Sequence, residues 1–264
     1  MFADVNGIRL YYESHGSGPP VVLVHGLGLS SDMWRYQVPA LAERYRVIIL
    51  DTRGHGQSSK PAGPYEMRMY VEDLRALIDL LGFDRPVLIG LSMGGGIVQC
   101  FALAHLERVL ALGLISTGSD HTDAVREEFF QNAARVEHEG MSPLVESLVP
   151  GWFAPASLER RAAEVERTLR TELANDPRAW AAAARLNGMR NWTAELHRIT
   201  CPVLYIGGAL DRSAPRRAET YPRHLPDVEV HLVPDVAHLL PLEVPEQVNE
   251  LLLRFLDRVH AATK

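Results

Sequence analysis

Residues 90–94 read Gly90-Leu91-Ser92-Met93-Gly94, between an apolar run (Pro86, Val87, Leu88, Ile89) and a segment with apolar residues at helical spacing (Ile97, Val98, Phe101, Ala102, Ala104). A strand that turns at such a pentapeptide and leaves as a helix constrains the fold strongly. It puts a serine on a sharp bend, with its hydroxyl projecting from the sheet end and the helix amino end behind it. Glycines on either side let chain segments pass where a Cβ would collide. Taken out of that context the same five residues are explained equally well by a glycine-rich structural turn. In context, Ser92 is the candidate nucleophile.

The rest of the chain alternates in the way such an elbow requires. Val21 to Val24, Val47 to Leu50, 86–90, 109–115, Pro202 to Ile206 and Val228 to Val233 are short apolar runs, suited to strands covered on both faces and hence to a parallel sheet. Helical spacing predicts helices over 33–44, 66–81 with a stop at Gly82, 93–105, 215–224 and 245–260. Residues 2–14 alternate around Asn6-Gly7, a dipeptide suited to a two-residue hairpin turn. From Asp120 to His197 no strand-like run occurs; the stretch is rich in Ala, Glu and Arg and is broken at Pro143, Pro150, Pro155 and Pro177. The expected architecture is α/β: a mostly parallel, doubly wound sheet with an antiparallel N-terminal hairpin, its core formed by 1–119 and 198–264, and a helical insertion over 120–197. There is no internal repeat or low-complexity tract.

Composition narrows the function classes. Among 264 residues, 47% are hydrophobic, enough for a large core, yet no stretch nears the roughly 18 continuous apolar residues of a membrane span. A net charge of −6 with interspersed signs gives no basic patch for nucleic acid or membrane. The opening Met-Phe-Ala-Asp has neither the basic nor the apolar region of a secretory signal, so a cytoplasmic protein is expected. Cys100 and Cys201 form no C-x-x-C pair, which indicates neither a disulfide framework nor a zinc site; both read as buried thiols.

A serine nucleophile needs a base, and the base an orienting carboxylate. Of 11 histidines, His238 follows the strand Val228 to Val233 by a short turn, and Asp211 follows the strand ending at Ile206 after Gly207-Gly208. Both therefore reach the carboxyl edge of the sheet, where functional groups gather in open α/β folds. Alternatively, Asp211 caps the following helix and His238 is an ordinary loop histidine. Asp235 and Asp120 are rival acids, Asp235 being only three residues from His238 and so poorly placed to approach its ring from a neighbouring strand.

His25-Gly26-Leu27-Gly28 follows the strand Val21 to Val24, so its N–H groups can face the same edge. The backbone N–H groups of Leu27 and Met93 are the natural oxyanion donors; the alternative is a plain strand-to-helix turn. His25 reads as a brace for this loop rather than as the base. In the insertion, Trp152, Phe153, Trp180 and Trp192 are candidates to line an acyl pocket, though packing the lid to the core is the more common use of such residues. Arg185 and Arg190 are candidates to meet a substrate carboxylate, against the commoner reading of exposed arginines.

Through His25-Gly26, Asp51-Thr52-Arg53-Gly54-His55-Gly56-Gln57-Ser58, the Ser92 elbow, Asp211 and His238, the chain resembles the α/β-hydrolase superfamily over nearly its whole length. The order Ser, Asp, His is the one that superfamily uses. The resemblance implies Ser92 as nucleophile, His238 as base, Asp211 as acid and 120–197 as lid, and gives the D-x-R-G-x-G-x-S stretch structural weight. The loop His-Gly-Leu-Gly departs from the HGGG form of some lipases. Within the superfamily, Gly90 to Gly95 and the stretch from Gly140-Met141 through Trp152-Phe153-Ala154-Pro155 are most similar to serine esterases and 3-oxoadipate enol-lactonases, although the latter usually lack His-Gly at the oxyanion loop. The implied activity is cleavage of a carboxylic ester or lactone through an acyl-enzyme, with no metal or organic cofactor and a small-molecule substrate. Carbon–carbon bond hydrolases and cofactor-free perhydrolases share the serine triad and stay open as alternatives, as does a non-catalytic ligand receptor on the same fold. Serine at 92 disfavours the dehalogenases and epoxide hydrolases that place aspartate there. Oligomeric state is not legible.

Overall fold

A computed structural model of the chain describes residues 1–262. Eight strands form one sheet: β1 (Phe2–Val5), β2 (Ile8–His15), β3 (Pro20–Val24), β4 (Arg46–Leu50), β5 (Val87–Leu91), β6 (Ala111–Ile115), β7 (Val203–Gly208) and β8 (Val228–Val233), in the order β1-β2-β4-β3-β5-β6-β7-β8. The first two strands are antiparallel to each other, and β2 is antiparallel to β4; every other pairing is parallel. Asn6 and Gly7 both have positive φ (46° and 75°), which is how a two-residue turn joins β1 to β2.

Alternation along each strand divides the core. On β3, Val21 and Leu23 face a cluster completed by Leu41 of α1 (Gln37–Ala42) and by Leu252 and Phe255 of the C-terminal helix Pro245–Ala261. Val22 and Val24 face the opposite cluster, with Leu74 and Leu77 of α2 (Met67–Leu80) and Ile97 and Phe101 of α3 (Met93–Ala104). The sheet is thus doubly wound, as expected.

Between β6 and β7 the regular elements are helices, α4 (Asp123–Glu139), α5 (Ser142–Leu148), α6 (Pro155–Arg160), α7 (Ala162–Leu173) and α8 (Pro177–Gly188), with 3-10 turns at Val149–Trp152 and Thr193–Arg198 and a single antiparallel bridge between Asp120 and Asn191. Pro143, Pro155 and Pro177, read as breaks, occupy first-turn positions of α5, α6 and α8, where a missing N–H costs nothing. After β7 come α9 (Ala214–His224), a short α10 (Leu240–Glu243) and α11, the C-terminal helix already given. The single helix expected over 33–44 is instead a 3-10 turn at Ser31–Trp34 followed by α1. Pro39 explains the break, since its ring would collide with the carbonyl of residue 35 in a continuous helix. Among the described residues no helix is long and apolar enough to cross a membrane. Cys100 and Cys201 are free and partly buried, and burial pushes their thiols up to about 12 and about 11.

Candidate active site

Ser92 stands between β5 and α3 at φ 52°, ψ −111°, a conformation that a non-glycine residue holds only when its surroundings enforce it. The enforcement is visible. Ser92 N–H donates to the Ile115 carbonyl of β6 at 2.9 Å, while its own carbonyl accepts from Thr117 Oγ1 at 2.7 Å and from Arg190 Nη2 at 3.2 Å. A Cβ on Gly94 would lie 2.2 Å from the Val24 carbonyl oxygen, and one on Gly90 would lie 2.3 Å from the Gly94 carbonyl carbon. Only glycine at both positions lets β3, β5 and α3 meet this closely.

His238 Nδ1 lies 2.8 Å from Asp211 Oδ2. The remaining acceptor capacity of Asp211 is filled by Ser213 N–H at 2.9 Å and Arg217 Nη1 at 3.0 Å. Burial alone would raise the Asp211 carboxyl, but the hydrogen bond and charge of His238, with those of Arg217 and Ser213, outweigh it and hold the group well below the usual carboxylate range. Asp211 therefore stays ionised opposite the imidazole. The rival acids are elsewhere: Asp235 is exposed at φ 57°, and Asp120 pairs with Arg216 at 2.9 Å.

His25 is fully buried. Its Nδ1 donates to the Gly26 carbonyl at 2.7 Å and its Nε2 accepts from Thr52 N–H at 2.9 Å, the pattern of a neutral brace, and burial holds its pKa down. The Asp51-to-Ser58 stretch has the structural role expected of it. Asp51 accepts from Ser31 N–H and Gln57 N–H at 2.7 and 2.8 Å, and Arg53 makes a bidentate pair with buried Asp73, both bonds 2.6 Å.

Ser92, Asp211 and His238 all border one cavity of about 370 Å³, together with Gly26 and Leu27 of the loop that follows β3. Met93 begins α3, so its N–H has no acceptor within the helix. Trp152 and Trp180 line the cavity; Phe153 and Trp192 are not on its wall. Phe153 is extended after the 3-10 turn that ends at Trp152, so it departs into the core and is 3% exposed. Trp192 lies behind α3, with its Nε1 donating to Gln99 Oε1 at 3.3 Å.

Of the two arginines, Arg185 matches the commoner reading and Arg190 does not. Arg185 pairs with Glu137 at the surface, at 2.6 and 2.7 Å. Arg190 is not exposed at all: it is 2% accessible and donates to Thr117 Oγ1 at 2.8 Å, the Gly118 carbonyl at 2.9 Å, Ser92 O and Asn187 Oδ1. Burial, then the positive charge of Arg217, pushes it down to about 10, so it remains a cation under the elbow. Four of its donor bonds hold the turn, and the side chain also borders the cavity.

A contact between the inserted helices and the loop that follows β3 has no signature in the sequence. Asn175 Nδ2 donates to the Gly28 carbonyl at 2.7 Å, and the buried Glu172 carboxyl packs directly on Gly28 while accepting from Trp180 Nε1 at 3.2 Å. Gly28 and Asn175 are 147 positions apart in the chain, so no local pattern signals this. Burial pushes Glu172 up from 4.5 to about 8, partly opposed by the Trp180 hydrogen bond. The folded chain thus binds a proton that the unfolded chain releases, and the stability this supports is complete below about pH 4.5 and lost as pH rises through 8. Glu172→Gln should be more stable than wild type at pH 8, by on the order of 4 kcal/mol, and nearly equal to it at pH 4.5. Urea midpoints at both pH values check this, and an unchanged difference between the two pH values would refute it.

A family model described as alpha/beta hydrolase fold matches residues 19–245. The chain is 30% identical over 206 residues to 3-oxoadipate enol-lactonase 2 of Acinetobacter baylyi, covering 77% of this chain and 76% of that protein. Among solved structures it is similar to a thermophilic esterase from Thermogutta terrifontis (TM-score 0.93, 32% identity, 98% and 99% of the two chains) and to the enol-lactonase from Burkholderia xenovorans LB400 (TM-score 0.93, 28% identity, 97% and 100%). Since both sequence and architecture agree along almost the full length, the chain belongs to the alpha/beta hydrolase family.

Proposed function

We propose that this protein is a serine hydrolase that cleaves a small carboxylic ester or lactone through an acyl-enzyme. The observation that carries the reading is the 2.8 Å contact between His238 and ionised Asp211 on the wall of the cavity that Ser92 also borders. His238 takes the Ser92 proton as the oxygen attacks the carbonyl, then protonates the leaving alkoxide. Water, activated by the same imidazole, releases the acid. The N–H groups of Leu27 and Met93 receive the oxyanion. The esterase and enol-lactonase relatives support the choice of ester and lactone within the family.

The test is fluorophosphonate labelling of Ser92 together with turnover of a panel holding short and long acyl esters, simple lactones, an enol-lactone and a vinylogous diketone. Labelling with ester or lactone turnover is expected. Labelling with turnover of the diketone alone would move the reading to carbon–carbon cleavage, and labelling without any turnover would favour a receptor.

Within the proposed acyl pocket, Trp152→Ala should change relative kcat/KM among acyl lengths by about tenfold, the loss of about a kcal/mol of apolar contact. Trp192→Ala, off the cavity wall, should leave the ranking unchanged. Equal effects from the two substitutions would remove Trp152 from the pocket.

A further inference from the structure

Glu243, on α10, is 2% exposed and five residues beyond His238. Its two carboxylate oxygens are divided between two parts of the chain. Oε1 accepts from the N–H of Ala237, the residue preceding the histidine, at 3.0 Å; Oε2 accepts from the N–H of Ala154, in the inserted segment, at 2.7 Å. A second link runs parallel to the first: the Trp152 carbonyl accepts from His238 N–H at 3.0 Å and from Leu239 N–H at 3.2 Å. Arg161 of the same inserted segment donates its Nε–H to the Glu243 carbonyl at 3.3 Å.

The histidine loop is thereby held on both sides. Asp211 fixes the ring, while the backbone on which the ring is carried is suspended from residues 152–154, and Trp152 also presents its side chain to the cavity. A carboxylate is suited to this place because it offers acceptors in two directions and no donor. An amide at 243 would turn an NH2 toward one of the two N–H groups and break one link.

Resting on the reading of His238 as the base, we infer that Glu243 is a positioning residue: it couples the histidine loop to the segment covering the substrate cavity, so that the base is set by the same contact that closes the pocket. The imidazole must be placed within a fraction of an ångström of the serine proton, and a misplacement of about 1 Å lowers rates by about 100-fold.

The experiment is a double-mutant cycle with a short p-nitrophenyl ester, using full-length variants whose circular dichroism matches wild type. Glu243→Gln should lower kcat by about 10- to 100-fold with KM within about threefold, and slow fluorophosphonate labelling in parallel. With Asp211→Asn already in place, so that the ring is misoriented, the same substitution should cost less than about threefold, because both residues act through one imidazole. Ala154→Pro is the second variant. Ala154 has φ −62° and follows an extended Phe153, so proline fits the backbone dihedrals while removing the donor to Glu243; kcat of the folded variant should again fall.

A purely structural Glu243 would lower thermal stability while leaving kcat of the folded protein unchanged, or would cost the same factor in the Asp211→Asn background. Either result overturns the inference. Full turnover by Ser92→Ala would instead overturn the serine hydrolase reading and this inference together, whereas an inactive Ser92→Ala beside an unaffected Glu243→Gln would leave the first and remove only the second.

Discussion

Ser92→Ala is expected to lower kcat for every ester or lactone the protein turns over by about 10⁴-fold or more, and to abolish fluorophosphonate labelling, with the fold retained. The size follows from the proposed mechanism: without the hydroxyl there would be no acyl-enzyme, and what remains would be binding and oxyanion stabilisation of an unassisted water attack. Retention of the fold follows from the structure. The bonds that set the turn run through the Ser92 backbone, to Ile115, Thr117 and Arg190. The strained φ of 52° provides a second readout. Ser92→Gly should be equally inactive yet more stable than Ser92→Ala by about 1 kcal/mol, because glycine adopts the conformation without its steric cost. Near-wild-type turnover in folded Ser92→Ala would refute the nucleophile assignment. A Ser92→Gly protein no more stable than Ser92→Ala would show that the turn is not strained.

What was legible in the sequence was whatever is encoded locally. The elbow is a pentapeptide between a strand and a helix, the hairpin is an Asn6-Gly7 dipeptide, and the parallel strands are short apolar runs. Asp211 and His238 were legible because the end of a strand puts a residue at the sheet edge whatever follows it. The opposite holds for Arg190, Glu172, Asn175 and Glu243. Each acts on a partner far along the chain: Arg190 on Ser92, Glu172 and Asn175 on Gly28, Glu243 on Ala154. Their residue types are those of any solvated helix face, and only the packing of α7, α8 and α10 over the sheet edge turns them inward. The aromatic candidates divide for the same reason. Trp152 and Phe153 are adjacent in sequence, but one ends a 3-10 turn at the cavity and the other begins an extended segment that leads into the core.

Asp211→Asn should lower kcat by about 10³- to 10⁴-fold, and Asp235→Asn by less than about twofold. In the proposed mechanism an imidazole that accepts the serine proton at Nε2 carries its own proton on Nδ1, and the Asp211 oxygen 2.8 Å away would select that tautomer and stabilise the cation formed on attack. An amide there can present its NH2 instead, favouring the wrong tautomer. Asp235 has none of these contacts; it is exposed at φ 57°, a conformation asparagine tolerates well. Asp211→Asn carries a second consequence that Asp235→Asn does not. Arg217, its side chain 9% exposed, loses the anion 3.0 Å from its Nη1, and an unpaired buried guanidinium costs about 3 kcal/mol. The variant is therefore expected to unfold at lower temperature as well as to turn over slowly, and kcat must be read well below its melting midpoint. Arg217→Met in the Asp211→Asn background separates the two effects: removing the stranded charge should restore much of the stability and none of the activity. If stability and kcat recovered together, Asp211 would matter through the packing of Arg217 rather than through the imidazole. If Asp235→Asn proved the slower enzyme, the acid would have to be sought on the histidine's own loop.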